Sequence, residues 1–105
     1  MVQVENEYGS YGKDKPYVSA IRDIVRKSGF DKVSLFQCDW SSNFLNNGLD
    51  DLTWTMNFGT GANIDQQFKR LGEVRPNAPK MCSEFWSGWF DKWGARHETR
   101  PAKDM

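Results

Sequence analysis

Residues 1–29 read MVQVENEYGSYGKDKPYVSAIRDIVRKSG, and their hydrophobic period changes from two to about 3.6 partway along. Over residues 1–7 apolar and polar side chains alternate, which predicts a strand with Val2 and Val4 on one face and Gln3, Glu5 and Glu7 on the other. YGSYG follows as a loop. Asp14 can then cap a helix that carries Pro16 in its first turn. Tyr17, Ala20, Ile21, Ile24 and Val25 predict one buried stripe on that helix. Arg26 and Lys27 suit the negative end of its dipole, and Gly29 is expected to end it.

The same grammar repeats downstream. KVSLFQCDW predicts a second strand over residues 32–39. SSNFLNNGLDD is a polar connection with little room for a long helix, and LTWTMNF predicts a third strand over residues 52–58. Asn63 can cap a second main helix, Gln66 would complete a capping box, Ile64, Phe68 and Leu71 form its buried face, and Gly72 ends it. KMCSEF predicts a fourth strand, and residues 96–105 a polar, irregular tail. Strands that alternate with helices argue for a parallel α/β fold. The chain shows no internal repeat.

Composition narrows the functional classes. The 105 residues carry zero formal net charge, so nothing draws the chain toward nucleic acid or an anionic membrane. No apolar run approaches the roughly 20 residues of a spanning helix. Two cysteines and one histidine lack the spacing of a zinc site. The apolar start, MVQV, suggests a piece of a larger protein.

Glu7 and Glu84 each fall at the C-terminal end of a predicted strand, the edge that holds active sites in parallel α/β folds. Aromatics flank both: Tyr8 at one, Phe85 and Trp86 at the other. Two carboxyls in one pocket are what glycoside hydrolysis requires, one as proton donor and one as nucleophile or base. A glutamate at a strand end can equally be solvated or paired with Lys or Arg, so the pattern alone leaves both readings open.

Two longer motifs separate them. VQVENEYGSYG resembles the acid/base segment of the family 35 glycoside hydrolases, the β-galactosidases, and MCSEFWSGWFDKWG resembles their nucleophile segment, S-E-F-x-x-G-W-x-x-x-W-G. The resemblance covers essentially the whole chain. It implies a partial (β/α)8 barrel, strands four to seven with two main helices, incomplete at both ends. Within it Glu7 matches the proton donor, Glu84 the nucleophile, Asn6 the contact to the sugar 2-hydroxyl, and Trp86 and Trp89 the aromatic lining of a galactose pocket. Double displacement with retention would follow, on a galactoside substrate and with no metal or cofactor, with the remainder of the barrel as partner and the isolated chain inactive. A non-catalytic carbohydrate-binding remnant, a shifted sugar specificity and a purely structural module are the alternatives. The compartment stays open: secreted, periplasmic or lysosomal.

Strict alternation sets Asn6 and Glu7 on opposite faces, so both reach one sugar only if the strand ends or bulges there. Glu5 is expected to be hydrogen-bonded or ion-paired inside the barrel. Cys38 and Cys82, on next-nearest strands, should be free thiols. The GTG at residues 59–61 should be a plain turn, His97 a surface residue, Trp40 and Trp54 core or helix-facing, and Trp93 a buttress of the mouth.

Overall fold

The computed structural model describes residues 1–40 and 42–105, so Ser41, in the predicted polar connection, lies outside the described residues. Four strands, β1 (Val2–Gln3), β2 (Leu35–Asp39), β3 (Thr53–Gly59) and β4 (Cys82–Trp86), pair in that order and all in parallel. Helix α1 (Lys15–Val25) follows β1, the short α2 (Phe44–Asn47) follows β2, and α3 (Ile64–Val74) links β3 to β4. This is a curled parallel half-barrel, with helices against its outer face.

The caps form as the sequence requires. The Asp14 carboxylate accepts the Tyr17 N–H at 3.1 Å and the Asn63 side chain accepts the Gln66 N–H at 3.0 Å. The return bond of a capping box is absent among the described residues. Beyond α1 the chain continues through a π turn, Arg26–Phe30, in which Gly29 takes φ 98°. Gly72 does not end α3, which runs two residues further, to Val74.

Two apolar clusters form between sheet and helices. Val4, Leu35, Leu49 and Leu52 pack under Val18, Ile21 and Val25 of α1. Trp54, Met56 and Phe58 pack under Phe44 and Leu71, with the Phe44 and Trp54 rings stacked at 4.8 Å. The α1 stripe is therefore rotated from the expected one. Val18 is fully buried, whereas Ile24 is 59 % exposed and Tyr17 38 %. Trp54 is core, as expected.

The opposite face of the sheet is polar. Alternation and register put Cys38, Thr55 and Asn57 on it. Cys82 packs instead with the helix-side cluster, so the two cysteines occupy opposite faces, and both are free.

Two register breaks shape this interior. Val2 and Val4 donate to Ser34 and Phe36 carbonyls, but the next bond, to the Cys38 carbonyl, comes from Glu7 rather than Asn6. One extra residue is thus inserted in the edge strand. Glu5 (φ 59°) and Glu7 (φ 50°) take up the irregularity in the left-handed region, where a non-glycine residue costs roughly 1–3 kcal/mol. The second break lies between β3 and β4, where Met56 pairs with Cys82 but Asn57 with Glu84, leaving Ser83 as the extra residue.

Candidate active site

The irregularities decide where the carboxylates go. Released from strict alternation, the Glu7 side chain reaches across β2 to β3, and its Oε1 accepts the Asn57 Nδ2–H at 2.9 Å. Asn57 is the ladder partner of Glu84. Glu7 and Glu84 consequently wall one cleft of about 640 Å³, with Phe85, Trp86, Trp89 and Phe90 as its apolar sides. Glu84 Oε2 accepts the indole Nε1–H of Trp86 at 2.7 Å, and the Trp86 and Trp89 rings meet edge to face at 5.9 Å.

Below the carboxylates lies a chain of polar side chains. Asn57 is fully buried, and while its amide serves Glu7, its Oδ1 accepts the Ser83 hydroxyl at 2.9 Å. Ser83 lies 2.6 Å from the Thr55 hydroxyl, which donates to the Gln37 carbonyl at 3.1 Å. Asn57 thus has both ends of its amide occupied.

Residues 1–105 match the family model described as Glycosyl hydrolases family 35. The chain belongs to that family. It is 42 % identical over 104 residues to a beta-galactosidase of Xanthomonas manihotis, covering 99 % of the chain and 17 % of the relative. It is 43 % identical over 101 residues to the beta-galactosidase of Homo sapiens, covering 93 % and 15 %. A beta-galactosidase-1-like protein of Mus musculus is 38 % identical over 100 residues, covering 94 % and 16 %. The chain therefore spans about a sixth of the length of these relatives.

Against this family 35 background, four of the five expected site residues, Glu7, Glu84, Trp86 and Trp89, share the cleft. Asn6 is not on its wall. Its Oδ1 accepts the Gln3 amide at 2.9 Å and the Cys38 thiol at 3.5 Å, which leaves its Nδ2 as the group available to a ligand. Glu5 departs from its expected place. Its carboxylate turns away from the barrel interior to α1, where it accepts the Tyr17 hydroxyl at 2.5 Å and holds that phenol above its ordinary pKa. The cause is the left-handed backbone at Glu5, which breaks the shared facing with Glu7.

Three more expectations can be placed. His97 is a surface residue bonded to Asp91 at 2.6 Å. Trp93 is fully exposed and buttresses nothing among the described residues, because the chain after β4 leaves the sheet before reaching it. Trp40 is not core. It is 38 % exposed, with its ring 5.1 Å from Trp86 at the mouth.

Sequence reasoning missed three residues around the site. Asn57 and Asp39 each interrupt an apolar strand run near its C-terminal end, the same signal that picked out Glu7 and Glu84. Cys38 is the third. Burial pushes its thiol up, a bond from Asn57 opposes this, and the charges of Glu84 and Glu7 add to the rise. Asp39 is buried and accepts the Gly9 N–H on Oδ2 and the Trp40 N–H on Oδ1, both at 3.0 Å. Burial still raises its carboxyl above the usual value. Through Gly9 it anchors the 3-10 turn, Tyr8–Ser10, that begins directly after Glu7.

Proposed function

We propose that this chain is the central part, residues 1–105, of a (β/α)8 catalytic barrel, strands four to seven, that hydrolyses terminal β-linked galactose with retention. The observation that carries the reading is the shared cleft: Glu7 and Glu84, from opposite ends of the chain, wall one aromatic-sided cavity. Glu7 bonds Asn57, and Asn57 is the ladder partner of Glu84, so the two glutamates are neighbours on one wall of the cleft; double displacement requires their carboxyls about 5–5.5 Å apart.

In this reading the Glu84 carboxylate attacks the anomeric carbon while Glu7 gives its proton to the departing glycosidic oxygen. Glu7 then takes a proton from water, which attacks the galactosyl–Glu84 ester and frees the sugar with its original configuration. Trp86 holds the attacking carboxylate through its indole N–H. The names of the relatives supply the sugar. Among the described residues the outer edges of β1 and β4 are unpaired, and they supply the argument for a partner, since a barrel has no free edges and the rest of the polypeptide would pair with both.

The test is made on the complete barrel and on the chain alone. The complete barrel should turn over a chromogenic β-galactoside, lose orders of magnitude of that rate in Glu84→Gln, and form a covalent adduct on the Glu84 peptide with a 2-deoxy-2-fluoro galactosyl donor. The 105-residue chain alone should show no turnover. A Glu84→Gln barrel with undiminished rate, or galactoside binding with no turnover in the wild type, sinks the proposal, the latter in favour of a binding remnant.

A further inference from the structure

We infer that Gln3 is a positioning residue for the reaction: its side-chain amide sets which way round the Asn6 amide stands and pins the left-handed backbone that leads into Glu7. The inference rests on the galactosidase reading above and adds to it a residue that acts on the sugar only through another.

Gln3 lies on the edge strand. Val2 and Val4, on either side of it, pack toward the helices, so alternation turns Gln3 to the inner face of the sheet, where it meets Cys38. There its Nε2 lies 2.9 Å from each of three acceptors, the Glu5 carbonyl, Asn6 Oδ1 and Cys38 Sγ. An amide nitrogen carries two protons, and oxygen is a stronger acceptor than a thiol sulfur. The two oxygens therefore take the protons.

The polarity of this chain is set by the backbone. A carbonyl oxygen can only accept, so the Glu5 carbonyl requires the N–H end of the Gln3 side chain. That end also meets Asn6, whose facing atom must then be its oxygen. The Cys38 thiol repeats the demand by donating to the same Oδ1 at 3.5 Å, and burial raises its pKa, which keeps it a donor. Asn6, exposed and directly before Glu7, is left with its Nδ2 protons to offer. Hydrogen bonds to the sugar 2-hydroxyl that strengthen in the transition state add to glycosidase catalysis. A donor whose direction is fixed before the substrate arrives suits that contact.

The same amide bears on the backbone. Glu5 and Glu7 hold φ 59° and 50°, a conformation that persists where the surroundings over-determine it. Glu5 is gripped from two sides. Gln3 takes its carbonyl, and Tyr17 of α1 gives its hydroxyl to the carboxylate at 2.5 Å. Past Asn6, the Glu7 N–H donates to the Cys38 carbonyl at 3.3 Å. Asn6 thus stands between two strained residues, and Gln3 bonds both it and the first of them.

The experiment uses the complete barrel. It compares kcat/KM for a nitrophenyl β-galactoside with that for the 2-deoxy analogue, which has no hydroxyl for Asn6 to reach. Gln3→Met keeps the length of the side chain and deletes its donor. The ratio between the two substrates should fall roughly tenfold, the scale of one lost hydrogen bond, with most of the change on the galactoside. Asn6→Ala should lower it at least as far. Adding Gln3→Met to Asn6→Ala should change it by less than about twofold, because Gln3 acts through Asn6. Equal losses on both substrates, an additive fall in the double variant, or a Gln3→Met barrel that does not fold would make Gln3 a support of the fold alone and overturn the inference. So would a ratio that either single variant leaves within about twofold of wild type. Each of these outcomes leaves the galactosidase reading intact. A wild type that cleaves neither substrate overturns that reading, and the inference with it.

Discussion

Glu7 and Asn57 lie 50 residues apart in the chain, yet their side chains meet at 2.9 Å on the inner face of the half-barrel. The bond spans an intervening strand, and it assigns different tasks to the two carboxylate oxygens of Glu7. Oε1 is occupied by an amide that cannot turn, because its other end is held by Ser83. In the proposed reaction, Oε2 is the oxygen left to deliver the proton.

Removing Asn57 should therefore harm proton donation selectively. In Asn57→Ala, kcat/KM for galactosides with poor leaving groups, such as alkyl or sugar aglycones, should fall roughly 10- to 100-fold, part of the 10²–10⁴ that general acid catalysis contributes. Dinitrophenyl galactosides, which need little protonation, should lose only a few-fold. Glu7→Gln should show the same pattern at larger amplitude. A uniform loss across leaving groups would mean that Asn57 only supports the fold.

Trp86 offers the complementary case. Its indole N–H binds Glu84 Oε2 at 2.7 Å, a bond to a charged acceptor of the kind worth about 1.5–3 kcal/mol. Trp86→Phe keeps a ring near Trp40 and Trp89 and deletes only the donor. The rate should drop about 10- to 100-fold, and for good and poor leaving groups alike, because in the proposed reaction Glu84 attacks the same carbon in both. A loss confined to poor leaving groups would tie Trp86 to the acid instead of the nucleophile.

How far these roles were legible in the sequence depends on the distance over which each is decided. The strand and helix periods are local, and so were the Asp14 and Asn63 caps. The irregularity at Glu5–Glu7 was legible too, since Asn6 and Glu7 could not otherwise face one ligand. The α1 stripe was not. Val18–Ile21–Val25 and Tyr17–Ile21–Ile24 are both helical spacings, and only the position of β1 and β2 selects the first. Trp40 follows the last residue of β2, where inward and outward facing are no longer set by alternation. Asn57 and Asp39 are polar residues in apolar runs, a signal that was passed over, and their partners, Glu7 and Gly9, come from another strand's loop. Which strands are neighbours had to be known first.

Asp39 ties the turn that follows Glu7 to the core. Both of its oxygens accept backbone N–H groups, and a Cβ on Gly9 would sit 2.6 Å from Oδ2 and 2.4 Å from the Asn43 Cβ. Gly9→Ala should push the turn away from β2 and misplace Glu7. Asp39→Ala should do likewise, and it leaves two N–H groups without their acceptor, at about 1–3 kcal/mol for each that stays buried. Burial raises the Asp39 carboxyl above its ordinary 3.8, so the native state binds its proton more readily than the unfolded chain does. Its contribution to stability is then fully present below pH 3.8 and is lost as pH rises through the raised native value. Urea unfolding of the complete barrel across this range should give a stability gap between wild type and Asp39→Ala that narrows as pH rises through that window. A gap that widens with pH would mean that the two N–H bonds outweigh burial and that Asp39 is held as a stabilised anion.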